Sequence, residues 1–413
     1  MKSLLPLLLC TLVAGTGMAQ IRYEQNYPNN DKQVYVSGTL NEDSVRIGQW
    51  RWYHPNGQLF REGRYDNQGH KTGIWKSYYG DGTLQEEMVT SGSGTSRTYY
   101  EDGKKQSEVP VVDGSNEGLF VSWYHNGQKK DEVPYVDGSR EGKTREWHDN
   151  GQLKFEGTYQ DDELEGQATW WTPKGMKDQE GRLVQGEQEG EWLFYWRTTG
   201  KLGIRGNYHA GHELGTWTYY YETGEKWRAG EYRDGMRQGL WTTWYENGHK
   251  LHEGQYVNDK EEGTWTAWYE DGTMDYTGSF HNGLKEGLWK GVYDDGRTRY
   301  EMNYHEDLQH CSTVRYHPNG KVEISENYQN GQRHGKYARY NTAGKPEETG
   351  NFVDGKKDGK WVWYDQFGKE GVVAQFKEGN MTSMTDNSQK QQQTAPQQHR
   401  GGNPDSWQKT RNR

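Results

Sequence analysis

The chain has 413 residues, but a unit of about 24 residues recurs through most of it, so length is no guide here to the number of globular domains. Only 30% of residues are hydrophobic, yet 19 are Trp and 30 are Tyr; this excludes a core built from Leu, Ile and Val, and equally a disordered chain, which would be poor in aromatics. The net charge is −10 and the tail from Asn380 is itself basic, so the body is acidic, which excludes nucleic acid and anionic lipid as main partners because both demand a basic footprint.

Residues 1–19 read as an export signal. Lys2 supplies the positive charge, residues 4–13 the short apolar run, and Gly17-Met18-Ala19 a small-x-small cleavage site before Gln20. No later stretch reaches the roughly 20 apolar residues of a spanning helix, so no transmembrane segment is expected. Cys10 follows Leu9 rather than the small residue that lipidation requires. Its removal with the signal leaves Cys311 as the one cysteine, which forbids an intrachain disulfide. The expected location is the periplasm or the cell surface.

Residues 20–47 read as a partial capping repeat, since Ser37-Gly38-Thr39-Leu40 mirrors the back half of the units that follow. Fourteen units then occupy residues 48–379. They open at Gly48, Gly73, Gly94, Gly118, Gly142, Gly166, Gly190, Gly215, Gly239, Gly263, Gly287, Cys311, Gly335 and Gly359. Five positions on, every unit but one carries an aromatic residue, the exception being Val292. Nine positions on comes a turn Gly, preceded by Asn or Asp in Asn56-Gly57, Asn247-Gly248 and Asp271-Gly272. A return segment then carries a further aromatic, such as Tyr256 or Phe280.

Short aromatic and Thr-rich runs joined by Asn-Gly or Asp-Gly predict β-hairpins. Gly at such short intervals argues against helix, since each costs about 1 kcal/mol inside one. The expected fold is all-β: an elongated, twisted, single-layer antiparallel sheet of about fourteen tandem 24-residue hairpins. Residues two and five past the opening Gly fall on opposite faces of a strand, so both faces should carry rings. The second unit lacks a return aromatic and runs into Ser91-Gly92-Ser93-Gly94, which predicts a flexible joint or an irregular strand. Val109-Pro110-Val111 and Val133-Pro134-Tyr135 predict local bulges or loosened pairing. Residues 380–413, rich in Gln, read as a disordered tail.

The skeleton G-x-W-x-x-W-Y-x-N-G-x-x-x-x-E-G-x-Y resembles the MORN repeat, in particular the bacterial variant found in YwqK-type antitoxin proteins. The resemblance covers residues 48–379 and implies an extended antiparallel sheet with an interaction or scaffold role.

No H-E-x-x-H, G-x-S-x-G or phosphate-binding loop occurs, and almost every notable residue is repeated, whereas a catalytic nucleophile is a singular feature. A non-catalytic protein without cofactor or metal is therefore expected. His305, His310, Cys311 and His317 form the one metal-like cluster, but their spacing fits no zinc template. Cys311 reads as a small residue standing in for the opening Gly. The leading functional expectation is an exported scaffold for envelope proteins. The alternatives are a cell-wall or glycan-binding module and an antitoxin or immunity-like protein. The candidate interaction surface is where rings are densest: Trp192, Trp196, Trp217, Trp241, Trp244, Trp265 and Trp268.

Overall fold

A computed structural model describes residues 12–13 and 20–387. Apart from the short strand Leu12–Val13, which pairs with Ile21 and Gln20, the export segment lies outside the described residues, as does the Gln-rich tail from residue 388. The chain forms two compact units, residues 1–226 with 232–235 and residues 227–231 with 236–413. Every described element in both is a β-strand, and each pairs antiparallel with strands adjacent in sequence. This is the expected all-β sheet of tandem hairpins.

One repeat shows how the sequence builds it. The outgoing strand Lys260–Trp268 ends in a turn closed by the Tyr269 N–H on the Thr273 carbonyl at 2.8 Å. Asp271 braces the turn by accepting from the Thr273 N–H at 2.8 Å, the ordinary use of Asp in this position. The return strand Met274–His281 then reaches the two-residue turn Asn282-Gly283, where φ is 52° and 84°. Both central residues at positive φ is the hairpin geometry that matches the right-handed strand twist.

A third special position is the opening residue itself. The register steps between Glu253↔Thr266 and Gln255↔Glu262, so the chain bulges where Gly263 sits at φ 67°. A Cβ on Gly263 would meet nothing within 4 Å. The requirement is thus on the dihedral and not on size, which corrects the reading of Cys311 as a small residue in a tight place. Cys311 is exposed and adopts φ 59°, a conformation that L side chains enter at a cost.

The bulge has a packing counterpart. Gly254 faces the indole of Trp265, and a Cβ there would lie 2.0 Å from its Cδ2. The Trp265 Nε1–H donates to the Gln255 carbonyl at 3.3 Å, beside the register step. The same seat and cover recur as Gly38 under Trp50, Gly181 under Trp192, Gly206 under Trp217, Gly278 under Trp289 and Gly350 under Trp361. Where the cover is not Trp, the seat is usually not Gly. Met302 faces Thr313, and Val133 occupies the seat position of the unit before the fully buried Thr144.

The irregular stretches have local causes. After strand Leu84–Val89 the Ser-Gly segment is a short connection in which Ser91 Oγ accepts from the Gly73 N–H at 3.1 Å. Val89, Val109 and Val111 pack there instead of rings, with Phe120 against them. Opposite Pro110 and Pro134 the outgoing strands break at Glu117 and Glu141, as loosened pairing predicts. The same break at Glu165, opposite Thr158, shows that proline is not the sole cause. Residues 20–47 form a complete hairpin, Gln20–Tyr27 with Asn30–Leu40, whose Gly38 seats the first Trp. The tail boundary at 380 needs correction: Asn380–Asp386 is a strand paired with Glu370–Lys377, because Glu378-Gly379 makes one more positive-φ turn.

Candidate interaction surface

The two faces of the sheet differ in kind. On one, the indoles two past the opening residue alternate with the return-strand rings: Tyr256 meets Trp265 edge-on at 5.2 Å, and Trp265 meets Phe280 at 5.9 Å. Edge-to-face contacts of this spacing are favourable beyond the area they bury. Of the seven candidate residues, Trp192, Trp217, Trp241 and Trp265 belong to this ladder and are buried, with Trp192 only 1% exposed. This corrects their place in the candidate interaction surface, since rings buried to this degree have little of either face to offer.

The other face carries Trp244 and Trp268, both half-buried. Its pattern is ionic as well as aromatic. Lys250 Nζ lies 2.7 Å from Glu253 and 5.5 Å from the Trp268 ring centroid. Lys105 with Glu108 and Trp123, Lys129 with Glu132 and Trp147, and Lys177 with Glu180 and Tyr195 repeat the arrangement. Burial and the hydrogen bond to Glu180 push the Tyr195 hydroxyl well above its usual range. Burial alone would raise Glu180, but hydrogen bonds from Lys177 and Tyr195 outweigh it and hold the carboxyl low. Glu253 is held low in the same way, hydrogen bonds from Lys250 and Thr242 outweighing its burial.

A third set of rings lies along the first-turn edge, six past the opening residue. The Tyr245 hydroxyl donates to the Trp268 carbonyl at 3.0 Å, Tyr269 to Val292 at 3.0 Å and Tyr124 to Trp147 at 2.8 Å. Each rung reaches the equivalent carbonyl of the next repeat. Trp196, 36% exposed, is such a rung through its Nε1–H on the Tyr220 carbonyl. The turn asparagines add parallel rungs, as Asn247 Nδ2 to the Glu270 carbonyl at 2.8 Å. The Glu before the opening residue caps the second turn of the repeat that follows it, Glu262 accepting from the Asn282 N–H at 2.8 Å. The W-Y, N-G and E-G motifs thus each hold one repeat to the next.

Of the histidine cluster only His305 and His310 meet, their rings edge to face at 6.1 Å. His305 pairs with Glu286 at 3.1 Å, His317 serves as an edge rung on the Tyr340 carbonyl, and Cys311 is exposed at its bulge. Among the described residues no three His, Cys, Asp or Glu side chains converge to hold a metal, and no helix is long and apolar enough to cross a membrane.

A family model described as MORN repeat variant matches residues 46–67, 71–90, 93–113, 116–137, 140–161, 237–258, 261–282 and 313–330. No curated protein matches. Among solved structures, the chain is similar to one described as TcdB2-TccC3-TEV, at 11% identity and a TM-score of 0.16, covering 87% of this chain and 20% of that one. A mutant of the Photorhabdus luminescens Tc holotoxin pore gives 12% identity and a TM-score of 0.15, covering 88% of this chain and 22% of that one. The chain therefore spans about a fifth of the length of those structures. Seat, cover and rung recur in the period that the family model marks, and the eight matched segments are MORN repeats of the variant kind.

Proposed function

We propose that the chain is an exported, non-catalytic scaffold that binds proteins in the bacterial envelope or at the cell surface. The observation that carries this reading is the face of half-buried rings under Lys–Glu pairs, repeated at Trp123, Trp147, Tyr195 and Trp268. Aromatic rings backed by a rigid sheet and ringed by charge are the usual composition of a protein-binding hot spot. The export signal in residues 1–19 supports the location. The opposite face is committed to the fold, so partners meet the ionic one.

The test is capture from native envelope extract by the full chain and by a Trp244→Ala/Trp268→Ala variant. Stable protein partners lost in the variant, with circular dichroism unchanged, support the scaffold. Capture that is equal in both chains sinks the assignment of the face. Sedimentation with peptidoglycan in place of protein capture moves the reading to wall binding.

A further inference from the structure

The edge ladder of rings has a gap. Position six of the unit opening at Gly166 is Thr172, between the rungs His148 and Trp196. The buried Thr172 hydroxyl reaches only back into its own turn, accepting from the Met176 N–H at 3.3 Å. Among the described residues no side chain donates to the Tyr195 carbonyl, the group that a ring at 172 would serve. Beside Thr172 lies a groove of about 420 Å³, walled by Trp170, Trp171, His148 and Pro173. Asn341 and Asp365 also lack the ring and likewise fold back onto their own turns, but beside Asn341 the Lys345 ammonium and the Phe367 ring cover the turn, 5.6 Å apart.

The charge around the groove is reversed as well. In three other units the edge tyrosine is followed by two acids, in Tyr100-Glu101-Asp102, Tyr269-Glu270-Asp271 and Tyr293-Asp294-Asp295. Here the turn reads Thr172-Pro173-Lys174, and Lys154, Lys174 and Arg197 line the groove against the single carboxylate of Asp178. Arg197 is neutralised by Asp178 at 2.7 Å and Lys154 by Glu146 at 2.8 Å. Lys174 is exposed and has no carboxylate partner among the described residues.

We propose that this groove binds a segment of a partner polypeptide in which a tyrosine is followed by acidic residues. The ring fills the place beside Thr172 between the indoles, and an acid following it meets Lys174. The occupant follows from the position: the groove opens at Thr172, where most other repeats carry a ring, and its one unpaired charge is the cation of Lys174. The proposal rests on the scaffold reading and gives it one definite address.

The test is fluorescence anisotropy of a labelled G-S-Y-E-D-G-S peptide with the full chain. Saturable binding is expected, weakened at least tenfold when the peptide tyrosine becomes alanine. Thr172→Tyr restores the repeat's own ring and should abolish binding while leaving the circular dichroism spectrum unchanged. Lys174→Glu, at an exposed position, should weaken binding about tenfold and blunt its dependence on salt. No saturable binding, or equal affinity in Thr172→Tyr, overturns the proposal. Stronger binding of an oligogalacturonate that is lost in Thr172→Tyr also overturns it, assigning the groove to an acidic sugar. A wild-type chain that captures envelope proteins yet ignores the peptide removes the groove and leaves the scaffold standing.

Discussion

Two glycines of one repeat do different work, and substitution separates them. At Gly254 the constraint is space: the Cβ of Gly254→Ala falls 2.0 Å from the Trp265 ring, and the indole must lift off its seat. Overpacking of this kind costs about 1–3 kcal/mol, expected as a lower urea midpoint followed by Trp fluorescence. At the opening position the constraint is φ, and Cys311 already violates the preference for Gly. Left-handed φ costs a side chain about 1–2 kcal/mol, and the looser unfolded chain of a glycine takes part of that back, so Cys311→Gly should stabilise by about 1 kcal/mol. An unchanged or lower midpoint would count against strain at 311. In the sequence both glycines read only as breakers of helix. The seat was hidden because its partner lies in the next repeat, eleven residues away across a turn.

At the scale of strands, the seat and its cover behave as one unit. Thr313→Trp alone should destabilise, since Met302 fills the space an indole needs. Met302→Gly with Thr313→Trp rebuilds the common pair, and the double variant should exceed the sum of the single effects in a mutant cycle. Additivity within about 0.5 kcal/mol would show the two sites to be independent. A pH effect belongs to this scale too. His252 stacks on Trp265 at 5.9 Å, and burial, then the nearby Arg228 charge, lowers its pKa. Its folded pKa lies below the unfolded value, so the unfolded chain binds more protons in that window. Stability from this group is intact above about pH 6.5 and falls as the pH drops below it. His252→Gln should flatten that part of the stability profile; an unaltered slope would clear His252. Hairpins, turns and period were legible because Asn-Gly, Asp-Gly and Trp-Tyr are local signals. The division of labour between faces was not, because Trp241 and Trp244 are the same residue type three positions apart. Only the register step tells which of them lies on a glycine.

Among the described residues, these rungs join a side chain to the carbonyl just before its equivalent in the next repeat, 23 positions on in Tyr245, Tyr269 and Asn247. Deleting residues 263–286 places Gly254 before Trp289, which keeps a seat under a cover. The shortened protein should be soluble, with the same circular dichroism per residue; loss of structure would mean that longer-range contacts matter. The departures from pattern at Thr172 and Lys174 show where such freedom ends, since a groove built from one irregular turn does not survive replacement by a regular one.

The rungs have a further consequence for descent. A repeat whose rungs reach one fixed position of the neighbouring copy can be gained or lost by in-frame recombination between those copies, and the joint it leaves is already complementary. Lineages of this gene should therefore differ by whole periods more readily than by single residues within one.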